Sequence, residues 1–220
     1  VTGGSNTAIG KNALTANTTG ADNTALGAYS LDANTTGHSN TAVGYLSLST
    51  DTTGIRNVAV GFHAGQTQND ADDNVWVGYQ SGLSCTTGSS NTGIGKDALR
   101  ANTTASNNTA VGTDALTANT TGTENVAVGT FALDAQTTGI ANTAIGYLAL
   151  SANTTANNNT VVGRKGLLVN TTGTQNTALG SNVLVANTTA DNNTGVGYLA
   201  LTANTTGQQN TALGSLSLIA

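Results

Sequence analysis

The 220-residue chain has no proline, no methionine, a single cysteine, and charged side chains at only 8% of its positions. The lone Cys85 rules out an internal disulfide framework and leaves the redox compartment open. Six scattered basic residues (Lys11, Arg56, Lys96, Arg100, Arg164 and Lys165) and a net charge of −5 give no cationic stripe. A phosphate backbone needs one, so no nucleic-acid partner is expected. No apolar run approaches the ~20 residues of a membrane helix, and no secretory leader is present. The first residue is Val1 rather than methionine, and the repeats stay in phase to both ends. The chain therefore reads as a segment of a longer chain or as a processed product, without membrane insertion in this part.

What is there instead is one phrase, repeated. Asn6-Thr7-Ala8-Ile9-Gly10 returns every 17 residues, at Asn23, Asn40, Asn57, Asn74, Asn91 and Asn108 and on to Asn210, giving thirteen copies with no insertion or deletion. Invariant spacing means that each copy stacks on the last, as in repeat architectures. With the invariant asparagine as column 1, the consensus is N-[TV]-A-[ILV]-G-x-x-[AS]-L-x-A-N-T-T-[GA]-x-x. Seventeen residues trace one turn of a narrow solenoid and leave no room for a helix pair. The fold class expected is all-β, a parallel β-solenoid of thirteen 17-residue coils forming one domain over 1–220. Coils stacked at strand spacing would make a rod roughly 60 Å long.

Period-two alternation puts columns 2 and 4 on one face, which their Thr/Val and Ile/Leu/Val content marks as inward. Columns 9 and 11, mostly Leu and Ala, show the same spacing and predict a second strand. Glycine throughout column 5 requires a positive φ or a close backbone approach. The amides of columns 1 and 12 suit corners and would stack into ladders. Column 3 alternates with the supposed inward columns, so it should face out. It is nevertheless Ala or Gly in eleven of thirteen copies, with Trp76 and Val161 the exceptions. Water sets no size limit, so a small outward strip suggests either a neighbouring chain or a crowded corner. On the first reading Ala8, Ala25, Ala42, Ala59, Ala110, Ala127, Ala144, Ala178 and Ala212 would line an oligomer interface.

Asn57-Val58-Ala59-Val60-Gly61 and Asn125-Val126-Ala127-Val128-Gly129 resemble the head repeats of YadA-type trimeric autotransporter adhesins. The Asn-Thr-Ala-Ile-Gly copies at 6–10 and 142–146 do so too, and similar repeats occur in phage tail fibres. The resemblance covers the first five columns of every copy. It implies left-handed β-rolls, three chains packed side by side, and attachment to host matrix or other surfaces. The repeat here is longer by an Asn-Thr-Thr-Gly corner, which implies a wider coil, and the family's stalk and membrane anchor are not in this stretch.

The irregular coils are where binding chemistry would sit. Tyr45, Phe62 and Tyr79 hold column 6 in three successive coils, with His63 beside them and Trp76 breaking column 3. Together these five form a candidate site for a sugar or a protein, against the plainer reading that rings cover a corner. Gly93, one coil beyond Trp76 in the same column, would leave room beside the indole. Asp70-x-Asp72-x-Asn74 looks like the opening of a calcium loop, but lacks the central Gly and closing Glu of an EF-hand. A solvated acidic turn is the alternative, and no other cofactor is implied. The two histidines, His38 and His63, fall in columns 16 and 7 and form no catalytic set with Ser, Cys or Asp, so no enzyme is expected. The paired threonines, such as Thr18-Thr19 and Thr35-Thr36, would make ranks like those of ice-binding solenoids.

The sequence thus points to a structural and adhesive shaft, extracellular on a cell or virion surface. Its expected partners are further copies of itself, as a trimer, and host or cell-surface glycan or protein. The alternatives are an ice-binding solenoid and a self-assembling filament subunit.

Overall fold

The computed structural model describes residues 3–219 and confirms an all-β parallel β-solenoid with 17-residue coils. The chain divides into two compact units, Val1–Asn108 and Thr109–Ala220. The first carries β1 (Thr7–Ile9), β2 (Thr24–Leu26), β3 (Thr41–Val43), β4 (Val58–Val60), β5 (Val75–Val77) and β6 (Thr92–Ile94). The second carries β7 (Thr109–Val111), β8 (Val126–Val128), β9 (Thr143–Ile145), β10 (Thr160–Val162), β11 (Thr177–Leu179), β12 (Thr194–Val196) and β13 (Thr211–Leu213). Within each unit consecutive strands pair in parallel with column on column, as in Thr7↔Thr24 and Ala127↔Ala144. Among the described residues there is no helix long and apolar enough to cross a membrane.

Each coil has only one strand, three residues long. The β-branched residues of columns 2 and 4 favour it, and the column-5 glycine ends it, with φ between 121° and 146° in every coil. At Gly61 a Cβ would stand 2.3 Å from the carbonyl oxygen of Gly78 in the next coil, so no side chain fits. The second strand expected over columns 9 and 11 is not formed; columns 6–11 are successive turns. Residues in columns 7 and 9 take left-handed backbone, including Tyr29 (φ 58°), Leu31 (φ 47°) and Leu48 (φ 47°). Such a conformation costs a leucine about 1–2 kcal/mol. Burying the side chain completely, as at Leu31 and Leu48, returns about 1.5–3 kcal/mol.

The two sheet faces are reversed from the sequence expectation. Column 3 points inward: Ala25, Ala42, Ala59, Ala110, Ala127, Ala144 and Ala178 are fully buried and Ala212 nearly so. They form the inner wall, and only Ala8 is exposed, on the first strand. The proposed alanine interface is therefore not on the surface. Column 3 is small because the coil is narrow and its opposite wall, the column 8 and 9 side chains, lies close. Columns 2 and 4 point outward, and column 4 leaves Leu26, Val60, Ile94, Ile145, Val162 and Leu179 exposed.

Where a large side chain does enter the core, a glycine faces it. A Cβ on Gly166 would sit 2.6 Å from Val161 Cγ1, and one on Gly195 would sit 2.5 Å from Val183 Cγ1. The remaining core is polar and made of amide ladders. In column 1, Asn23 N donates to Asn6 Oδ1 (2.9 Å) and Asn23 Nδ2 donates to Gly37 O (2.8 Å). In column 12, Asn34 Nδ2 donates to Asn17 Oδ1 (3.1 Å) and to Gly37 O (3.1 Å). Both sets of asparagines are structural, satisfying the corner backbone that a buried turn would otherwise leave unpaired.

Candidate functional site

The aromatic row is built by the stacking of coils in the first unit. Column 6 follows the column-5 glycine, where the chain leaves the strand, and its side chains stand outside. Tyr45, Phe62 and Tyr79 lie one over another with centroid separations of 5.4 and 5.5 Å and interplanar angles of 21° and 4°. All three are exposed, at 43%, 44% and 47%. His63, in the neighbouring column, stacks on Phe62 at 3.9 Å. Tyr29 extends the row by an edge contact to Tyr45 at 6.1 Å, and Lys11 lies 5.5 Å above its ring. A side-chain hydrogen bond to Tyr29, with the charge interaction between them, raises the Lys11 pKa.

Four of the five candidate residues thus come together, and Tyr29 joins them. Its signal was present in the sequence as an aromatic one coil before Tyr45 and one column over. The fifth, Trp76, is not part of this surface. It is fully buried and points into the core from column 3. Its Nε1 donates to Gln68 Oε1 (2.8 Å). Cβ atoms on Gly65, Gly82 and Gly93 would lie 2.6, 2.3 and 2.9 Å from the indole, so three glycines form its socket.

The acidic cluster does not converge. Asp70 Oδ1 accepts hydrogen bonds from the Thr52 and Thr53 hydroxyls, and Asp72 Oδ1 accepts one from Ile55 N. Asp73 pairs with Arg56 through two bonds of 2.6 and 2.8 Å, which holds its carboxyl below the usual range. Asn74 is buried in the column-1 ladder, bound to Asn57, Gln68 and Gly88. Asp70, Asp72 and Asn74 each face the coil before them or the core, so they do not fit a shared calcium ion. Among the described residues no group of three His, Cys, Asp or Glu has metal-holding geometry. Of the threonine ranks, several column-13 hydroxyls are spent on the backbone of the next coil, as in Thr35 Oγ1 to Thr52 O (3.0 Å), while Thr52 bonds the Asn69 and Asp70 side chains.

What the row can do chemically is bind. The rings take part of one another's faces, leaving outer edges and the phenols of Tyr29, Tyr45 and Tyr79 to meet a partner that offers apolar patches beside hydroxyls or amides. The outward aliphatics of column 4 are a second apolar surface, which sequence reasoning placed in the core. No family model, curated protein or solved structure matches the chain.

Proposed function

We propose that the chain is a structural and adhesive shaft segment, extracellular, that associates with copies of itself. The observation that carries this reading is the exposed aliphatic column on the outer face of the strands. In the first unit it runs through Ile9, Leu26, Val60 and Ile94, and in the second through Ile145, Val162, Leu179 and Leu213. Regular apolar strips of this kind mark association surfaces. A second copy of the chain is the occupant that fits, because it brings the same side chains at the same repeat along its own strands. With charged residues at 8% of the chain, little opposes the approach of like copies. The resemblance to trimeric adhesin heads supports three copies.

Multi-angle light scattering tests the assembly. Wild type should run at about three chains per particle, and Val60→Glu with Ile145→Glu should run as a single chain. Both side chains are outside, so the fold should survive. A monomeric wild type would overturn the reading, and particles growing without limit would replace the trimer with a filament.

Recognition is assigned to Tyr29, Tyr45, Phe62, His63 and Tyr79, for a glycan or protein on another surface. Phe62 is the centre of the stack, so Phe62→Ser should weaken binding in a glycan array or host-matrix adhesion assay at least about tenfold, since the loss removes the three ring contacts that hold the row in place, worth about 0.5–1.5 kcal/mol each. Tyr198→Ser, at an exposed tyrosine outside any ring stack, is the control. Equal binding by the two variants would remove the row from the function.

A further inference from the structure

The aromatic row of the first unit turns edges, not faces, toward solvent. Tyr45, Phe62 and Tyr79 stack at interplanar angles of 21° and 4°, and His63 lies on Phe62 at 11°. Their faces are therefore occupied by one another. An aromatic ring is negative on its face and positive at its edge, so the outer surface is a file of weakly positive edges. The exposed Tyr45 and Tyr79 hydroxyls have no hydrogen-bond partner among the described residues and add O–H donors to it.

Formal charge agrees in sign. Lys11 heads the row, 5.5 Å above the Tyr29 ring, and no carboxylate pairs with it among the described residues. Its hydrogen bond to Tyr29 favours the charged ammonium. Across columns 5–9 of the five coils that carry the row there is no Asp or Glu. Asp32 lies just outside, in column 10, and is half-buried. Asp22, Asp70, Asp72 and Asp73 stand in columns 14–17, on another stretch of the coil. At the far end Lys96 pairs with Asp97 and is neutralised. In a chain of net charge −5, this file has a surplus cation.

Column 6 also has an alternation. It reads Lys11, Ala28, Tyr45, Phe62, Tyr79, a donor in every second coil with an apolar residue between. Two coils are about 9.6 Å at strand spacing. An extended peptide repeats its like-facing side chains every ~6.8 Å and falls out of step with such a file. A nucleic acid needs several cations for its phosphates, and one is present. In an extended polysaccharide one sugar spans close to one coil, and in a two-fold ribbon alternate sugars present the same groups to one side.

We infer that the row binds an extended polyuronate, a linear polysaccharide with a carboxylate on each sugar, whose alternate carboxylates meet Lys11, Tyr45 and Tyr79. The intervening sugars pack their C–H groups beside Ala28 and Phe62. Hydrogen bonds from a phenol or an ammonium to a carboxylate are shorter and stronger than those to a neutral hydroxyl, which selects the acid over the neutral sugar. This assignment names the ligand class of the recognition row and rests on that reading.

Titration calorimetry with a β-1,4-linked mannuronate hexamer and with mannohexaose, its uncharged counterpart of the same linkage, tests the assignment. The acid should bind at least about tenfold tighter at low salt, and its advantage should shrink as salt is added. Lys11→Gln, at an exposed side chain, should reduce that advantage several-fold and leave mannohexaose binding unchanged. Tyr45→Phe with Tyr79→Phe should reduce it further while keeping the rings. Equal binding of the two hexamers, an advantage that survives all three substitutions, or tighter binding of polyglutamate than of the mannuronate would overturn the proposal. If neither hexamer binds while Phe62→Ser still weakens adhesion, the polyuronate assignment falls and the adhesive reading stands. Equal adhesion by Phe62→Ser and Tyr198→Ser removes both.

Discussion

Replacing Trp76 by alanine should remove about 3–5 kcal/mol from the stability of the first unit, the range for emptying a buried tryptophan site. The indole is fully buried, and nothing nearby can collapse into the void, because three of its walls are the glycines Gly65, Gly82 and Gly93. Its loss also leaves Gln68 Oε1 with one donor fewer, since Nε1 had bonded to it at 2.8 Å. The chain has one tryptophan, so wild-type unfolding can be followed by its fluorescence and the variant by circular dichroism. A second change makes the test specific. Gly82 has φ 61°, the same left-handed backbone that leucine adopts in this column elsewhere. In wild type a Cβ there would lie 2.3 Å from Trp76 Cδ2, so Gly82→Leu alone should be severely destabilising. Combined with Trp76→Ala it should recover part of the loss. A double variant less stable than Trp76→Ala would show that the indole and the glycines are not a matched set.

Gly61→Ala should cost about 2–4 kcal/mol, because two penalties meet at one carbon. Its φ is 146°, and a Cβ would fall 2.3 Å from the carbonyl oxygen of Gly78. That atom is backbone in a paired coil and has no side-chain freedom with which to yield. Two controls separate the causes. At Gly214, φ is 123° but nothing lies within 4 Å of a Cβ, so alanine there meets only the backbone strain. At Gly4 neither penalty applies, and the change should stay within about 0.5 kcal/mol of wild type. Thermal unfolding of the three variants should rank Gly61, then Gly214, then Gly4 as most to least damaging. Equal losses at Gly61 and Gly214 would mean that the coil-to-coil approach is looser than the geometry requires.

The repeat made the coil, its length and its stacking legible, since thirteen copies of Asn-[Thr/Val]-x-[Ile/Leu/Val]-Gly in register admit little else. The faces were not legible. Thr24, Leu26 and their equivalents look like core by composition, yet they stand outside, while the alanine between them is buried. Hydrophobic content is a one-way indicator of burial, and in so thin a coil the inside is set by volume. The absence of large residues in column 3 was correctly read as close packing; the surface pressed against it is the chain's own opposite wall. Gly93 was legible as space beside the Trp76 ring, and the structure bears this out. The direction of the ring was not legible, because it followed from the reversed face. Tyr45, Phe62, His63 and Tyr79 emerged from column arithmetic alone.

The glycine sockets have a further consequence, for folding fidelity. An array of identical coils can skip one and close on the next, because the mistaken neighbour offers the same side chains. Trp76 forbids this locally. If the coil between Leu48 and Trp76 looped out, the indole would meet the Leu48 side chain where it now finds Gly65. Val161 with Gly166 and Val183 with Gly195 mark positions in the second unit in the same way. These few departures from uniformity act as alignment keys, and a sequence purged of them would be easier to write but harder to fold in a single arrangement.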